Sequence, residues 1–136
     1  MTQTDKPPLR IHAPISIGEL IDKITILEIK NARIEDAGKR ANVAKELSLL
    51  RRTRDEAGLN SAELETLAAE LRAINTALWE IEDVIRELEA NGDFGAEFVE
   101  TARSVYLTND RRARVKNRID VLCGSDIVEQ KAYKGM

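Results

Sequence analysis

Cysteine, tryptophan and histidine each occur once in the 136 residues, as Cys123, Trp79 and His12, and the three prolines, Pro7, Pro8 and Pro14, all lie in the opening stretch. A single cysteine forms no internal disulfide and no thiolate metal site, so a reducing cytoplasm is the expected location. With His12 in a proline-rich arm, the body of the chain has no base for a serine or cysteine triad, and there is no histidine pair for zinc. No glycine loop has the spacing of a phosphate cradle. Runs of about 18 apolar residues, the length needed to span a bilayer, are absent, and MTQTDKPPLR lacks the apolar stretch of a secretory signal. Any enzyme chemistry would therefore rest on carboxylate, Arg, Lys or Tyr, with no cofactor or metal indicated.

What is present favours helices. Charged residues make up 33% of the chain and aromatics 4%, with little Gly or Pro, which disfavours a turn-rich sandwich or barrel. The length suits one core, and a net charge of -3 gives no global attraction to nucleic acid or membrane. Residues 1–15 have no helical period and read as an extended arm, while 16–136 read as one antiparallel bundle of about four helices.

Ser16 followed by Glu19 has the spacing of a capping box and starts helix 1. Ile17, Leu20, Ile21, Ile24, Leu27 and Ile34 form its main stripe, and Gly38 is its expected break. Ile26 and Ile29 fall on the other side, so this helix either lies between neighbours or meets another subunit; a homo-oligomer formed through helices 1 and 2 is the expectation. Helix 2 spans about 39–56 on Val43, Leu47 and Leu50. Helix 3 spans about 61–90, capped by Asn60 or Ser61, with Leu64, Leu67, Leu71, Ile74, Leu78, Ile81 and Ile85 as its seam. Asp93 is the expected cap of helix 4, which carries Phe98, Ala102, Val105, Val115 and Ile119 and ends at Gly124. The tail could add one turn from Ser125.

Polar residues interrupt these seams. Glu28 and Asn31 fall within the stripe of helix 1; Asn75, Trp79, Glu82 and Arg86 climb one edge of helix 3; Asn109 and Lys116 line up with Phe98, Ala102 and Val105 on helix 4, with Arg112 close by. Buried polar groups need partners or a water-filled cleft. One reading is a structural network, Glu82 with Arg86 and Glu28 with Lys116 or Arg112. The other is a pocket in which Arg86, Arg112 and Lys116 bind an anion, Glu28 and Glu82 orient them or act as acid and base, and Trp79 and Tyr106 stack on a flat group. Were Glu82 held in a buried ion network, Glu82→Gln would cost roughly 3 kcal/mol; an unchanged melting temperature would indicate an open cleft.

Residues 63–90 carry eight acids and two bases, net -6, whereas 101–118 carry six bases and one acid, net +5. The two segments should attract, and the acidic one should blunt NDRRARVKNR as a nucleic-acid patch, so nucleic-acid binding is disfavoured. Glu19 with Asp22 and Glu80 with Asp83 have the E-x-x-D spacing of a helical Mg2+ site, but all four are placed away from the seams, as solvent carboxylates.

The segments SIGELIDKITILEIK (16–30), NTALWEIEDVIR (75–86), ARSVYLTNDRRARVKNRID (102–120) and SDIVEQKAY (125–133) together resemble a family of small bacterial proteins classed as a domain of unknown function. The resemblance implies an all-helical cytoplasmic domain, in some cases encoded near glycosyltransferases and other surface-polysaccharide genes, and carries over no catalytic residue. The functional expectation is a helical binding or assembly protein whose polar cleft takes an anionic small molecule or a protein partner. The alternative is an enzyme acting on a phosphorylated or sugar-nucleotide substrate.

Overall fold

Four helices make up the regular structure of residues 6–132, the part of the chain described by this computed structural model: α1 (Ile17–Arg33), α2 (Ala37–Glu56), α3 (Ala62–Ala90) and α4 (Ala96–Cys123). The all-α bundle expected from periodicity is what forms. The outer parts of the expected arm and tail, residues 1–5 and 133–136, lie outside the described residues. No helix among the described residues is long and apolar enough to cross a membrane.

The caps explain the boundaries, and two differ from expectation. Ser16 Oγ accepts from the Glu19 N–H (3.0 Å) and Ser61 Oγ from the Leu64 N–H (3.1 Å), so hydroxyls start α1 and α3. The second half of the capping box does not form, because the Glu19 carboxylate accepts from Lys116. The break after α1 comes at Ile34 rather than Gly38: Asp36 caps α2 by accepting from the Lys39 N–H (2.9 Å), which places Gly38 inside the first turn. Gly95, not Asp93, is the cap residue of α4; Asp93 instead accepts from the Gly95 N–H (3.2 Å). Gly124, with φ at +64°, ends α4 in the left-handed region open to glycine. No extra turn follows in residues 125–132.

Helix α1 is the centre. Its Ile21 packs with Leu64, Ala68, Leu71 and Ile74 of α3 and Val115 and Ile119 of α4, while Leu20, Ile24 and Leu27 pack with Leu47 of α2. Adjacent parts of the one main stripe thus serve two apolar clusters, with Leu59 packed against both, and α2 packs chiefly on α1. The second apolar strip, Ile26 and Ile29, belongs to neither cluster and lines a hollow against α3 instead. Ile29 is buried and Ile26 half-buried within the chain, so the strip fits a helix between neighbours and does not itself require another subunit.

The start of α1 is clamped to the end of α4. The Gly18 N–H donates to Asp120 Oδ1 (2.6 Å) and the Ile17 N–H to Ser125 Oγ (3.1 Å), supplying partners that the first turn of a helix otherwise lacks. The approach is close enough that a Cβ on Gly18 would overlap the Lys116 carbonyl oxygen. Gly18→Ala should therefore lower stability by about 1–3 kcal/mol, the usual effect of overpacking. Gly38→Ala, which meets only the Asp36 carboxylate, should leave it unchanged or raise it by up to about 1 kcal/mol. Paired thermal or urea melts check both, and equal losses would be inconsistent with the clamp.

Candidate functional site

Asp22 is fully buried where α1 faces α3 and α4. A carboxylate there needs donors in place of water. Asn75 Nδ2 donates to its Oδ1 (2.9 Å), and Arg112 grips both oxygens, Nε on Oδ1 (3.0 Å) and Nη2 on Oδ2 (2.5 Å). Fork geometry of this kind suits guanidinium rather than ammonium. Thr25 completes the group, donating to the Asp22 carbonyl (2.8 Å) and accepting from Asn75 Nδ2 (2.9 Å). The expectation that Asp22 is a solvent carboxylate is corrected: with neighbours on several sides, α1 buries a wider arc than an ordinary surface helix.

Lys116 lies one turn further along α4. Its Nζ donates to Glu19 (2.7 Å) and to Glu129 (3.1 Å) and sits 3.8 Å from Asp22. Burial alone would lower the Lys116 pKa, but the hydrogen bonds to Glu19 and Glu129 and the field of Asp22 outweigh it and raise the value. The Asp22 hydrogen bond likewise raises Arg112 against the effect of burial. Both cations stay charged. Among the described residues, no buried side-chain nitrogen or oxygen lacks a partner.

Beside this network lies a groove of about 360 Å³, lined by Ile26 and Ile29 of α1, Asn75, Leu78, Trp79, Glu82, Asp83 and Arg86 of α3, and Arg112 of α4. Its floor is apolar and its rim charged. Arg33 sits over the Trp79 ring, 6.0 Å from its centre, and Glu82 accepts from Arg86 Nε (3.2 Å), with 50% and 79% of these two side chains exposed. Arg112 joins the two regions: it is fixed on Asp22, yet 28% of its side chain remains exposed.

The groove and the network bring together Asn75, Trp79, Glu82, Arg86, Arg112 and Lys116. The other expected residues lie apart. Glu28 pairs with Arg51 (2.8 Å) and Arg72 (3.4 Å), not with Lys116 or Arg112, because it faces the flank of α1 near α2. Asn31 lines a separate hollow with Arg51, Arg52 and Asp55. Tyr106 and Asn109 are exposed on α4, short of the level at which α4 meets Asp22. Glu80 and Asp83 are exposed as expected, so that E-x-x-D pair is a surface feature. Sequence reasoning missed Asp22, Thr25, Glu19 and Asp120, although the excess of cations along α4 was a signal that carboxylates would face them. Burial, with Asp120 nearby and Arg54 opposing, raises the Cys123 thiol pKa, so it is not an activated nucleophile.

A family model described as a family of unknown function, DUF6165, matches residues 11–136. The chain belongs to the DUF6165 family. The match takes in α1 to α4 and all four segments on which the resemblance rested, through Tyr133. No curated protein and no solved structure shows significant similarity to the chain.

Two substitutions separate the network from the groove. Asp22→Asn leaves Arg112 and Lys116 short of their buried counter-charge and should destabilise by about 3–5 kcal/mol. Glu82→Gln removes one end of an exposed pair and should move the melting point little, since such pairs contribute about 0–1 kcal/mol. The reverse ranking would show that the buried charge is misplaced.

Proposed function

We propose that the chain is a cytoplasmic helical binding protein rather than an enzyme, and that its ligand enters the Trp79 groove. The observation that carries this reading is the division of labour between neighbouring regions: the buried acids and bases are satisfied by one another, while the apolar floor and charged rim beside them remain accessible. The ligand class that fits is a sugar nucleotide. Its base would lie on Trp79, its phosphates would meet Arg86 and the Arg112 N–H groups not used by Asp22, and its hydroxyls would donate to Glu82 and Asp83. The groove volume of about 360 Å³ falls in the ordinary range for small-molecule sites. A role in surface-polysaccharide metabolism, implied by the family resemblance, would supply such ligands.

The enzyme alternative asks Glu82 to act as base beside phosphate held by Arg86, Arg112 and Lys116. Lys116 is buried against Glu19 and Glu129 and does not line the groove, and Glu82 rests on Arg86. That set is not assembled for catalysis.

Trp79 is the only tryptophan, so emission excited beyond the absorption of the two tyrosines reports on the groove. Titration with nucleoside diphosphate sugars should give a saturable change in emission together with a raised melting temperature, about 2.7 kcal/mol of added stability at 100 times Kd. Arg86→Gln should weaken the response without unfolding the chain. No response to nucleotides, sugar nucleotides or sugar phosphates at millimolar concentration would eliminate the small-ligand reading and leave a protein partner.

A further inference from the structure

Asn75 and Arg112 belong both to the buried network and to the lining of the groove. The Asn75 amide meets its network neighbours in one orientation only. Asp22 Oδ1 (2.9 Å) is already an acceptor for Arg112, and Thr25 Oγ1 (2.9 Å) has given its own hydrogen to the Asp22 carbonyl. Both atoms accept, so the Nδ2 group supplies both hydrogens and Oδ1 is turned away from the network. This oxygen takes no hydrogen bond among the described residues, although Asn75 is only 6% exposed. No fully buried side-chain oxygen lacks a partner there, so Oδ1 is open, and the surface that Asn75 lines is the groove.

Arg112 stands beside it, because its Nε donates to the same Asp22 oxygen (3.0 Å). Asp22 occupies the Nε–H and one N–H on Nη2, which leaves three guanidinium hydrogens on a side chain that also lines the groove. A fixed acceptor and fixed donors therefore lie side by side at the inner end of the groove, and Trp79 follows one helical turn, about 6 Å, further along α3. A bare anion uses only half of this set: phosphate oxygens placed against Asn75 Oδ1 would set lone pair against lone pair. We infer that Asn75 determines which ligands the groove accepts, its Oδ1 taking a hydrogen from a ligand hydroxyl that lies next to an oxygen held by Arg112. The inference rests on the small-ligand reading above and adds a requirement to it. With a phosphate oxygen on Arg112, the donor beside it is a hydroxyl of the sugar. A ligand without that hydroxyl leaves a largely buried oxygen unsatisfied, a loss of roughly tenfold in affinity.

The test titrates the full chain, by Trp79 emission, with uridine, guanosine, adenosine and thymidine diphosphate glucose, and then with monodeoxy derivatives of whichever binds. Removal of one particular hydroxyl should weaken binding to the wild type by roughly tenfold. That loss should vanish in Asn75→Ser, which keeps a donor for Asp22 and withdraws the groove oxygen, while losses at other hydroxyls persist. A merely structural role for Asn75 would instead weaken parent and derivative alike, and that result overturns the inference. Should Asn75→Ser not fold, the exposed variants Glu82→Gln and Asp83→Asn decide: a loss that survives in both supports Asn75 as the acceptor, and one that disappears in either overturns it. A parent that binds with no loss for any monodeoxy derivative overturns the inference and leaves the small-ligand reading standing. No binding by any of the four parents removes the sugar-nucleotide reading and this inference with it.

Discussion

A carboxylate without water holds this bundle in register. Asp22 sits where an apolar residue would be expected, and everything around it answers that placement: an amide from α3, a guanidinium and an ammonium from α4, and the Thr25 hydroxyl from its own helix. Apolar burial in two clusters supplies the cohesive free energy, but Leu and Ile surfaces tolerate sliding. A slide of α1 by one turn would leave Asp22 against hydrocarbon and strand Arg112 without its acid, an error costing several kcal/mol. The charge therefore selects one alignment among many that would bury similar apolar area.

Much of the fold was legible because helices advertise their start and their buried face. Ser16, Ser61 and Gly124 mark ends that the structure retains, and Leu64, Leu71 and Ile74 lie on the inward stripe. The boundaries that moved did so through local competition: Asp36 is a better cap than Gly38 is a stop, and Gly95 at the cap position takes the Asp93 side chain as a partner to its own N–H. The second strip on α1 left open whether a neighbouring helix or another subunit covers it, because a helical wheel does not show how many neighbours a helix will have.

The site was legible in part for the same reason. Asn75, Arg112 and Lys116 were visible as polar residues on apolar seams, yet their common partner was assigned to solvent, since Asp22 lies off the Ile21 stripe by about one residue's turn. Glu28 was inside the stripe and turned out to serve a flank. Asn109 and Tyr106 followed the pattern of α4 onto a portion of that helix where α1 no longer reaches. Periodicity records which residues share a face, but not how far along the face its cover extends.

The span of these contacts along the chain bears on how the protein is made. Asp22 meets Arg112 across 90 positions, Glu19 meets Lys116 across 97, and the Gly18 N–H meets Asp120 across 102. At ordinary rates of synthesis the first helix emerges several seconds or more before the residues that neutralise it. During that interval α1 can pair its Leu20, Ile24 and Leu27 side with α2, but its other side carries an acid that resists dehydration. Docking of α4 is therefore what supplies the counter-charges that let this side of α1 leave water.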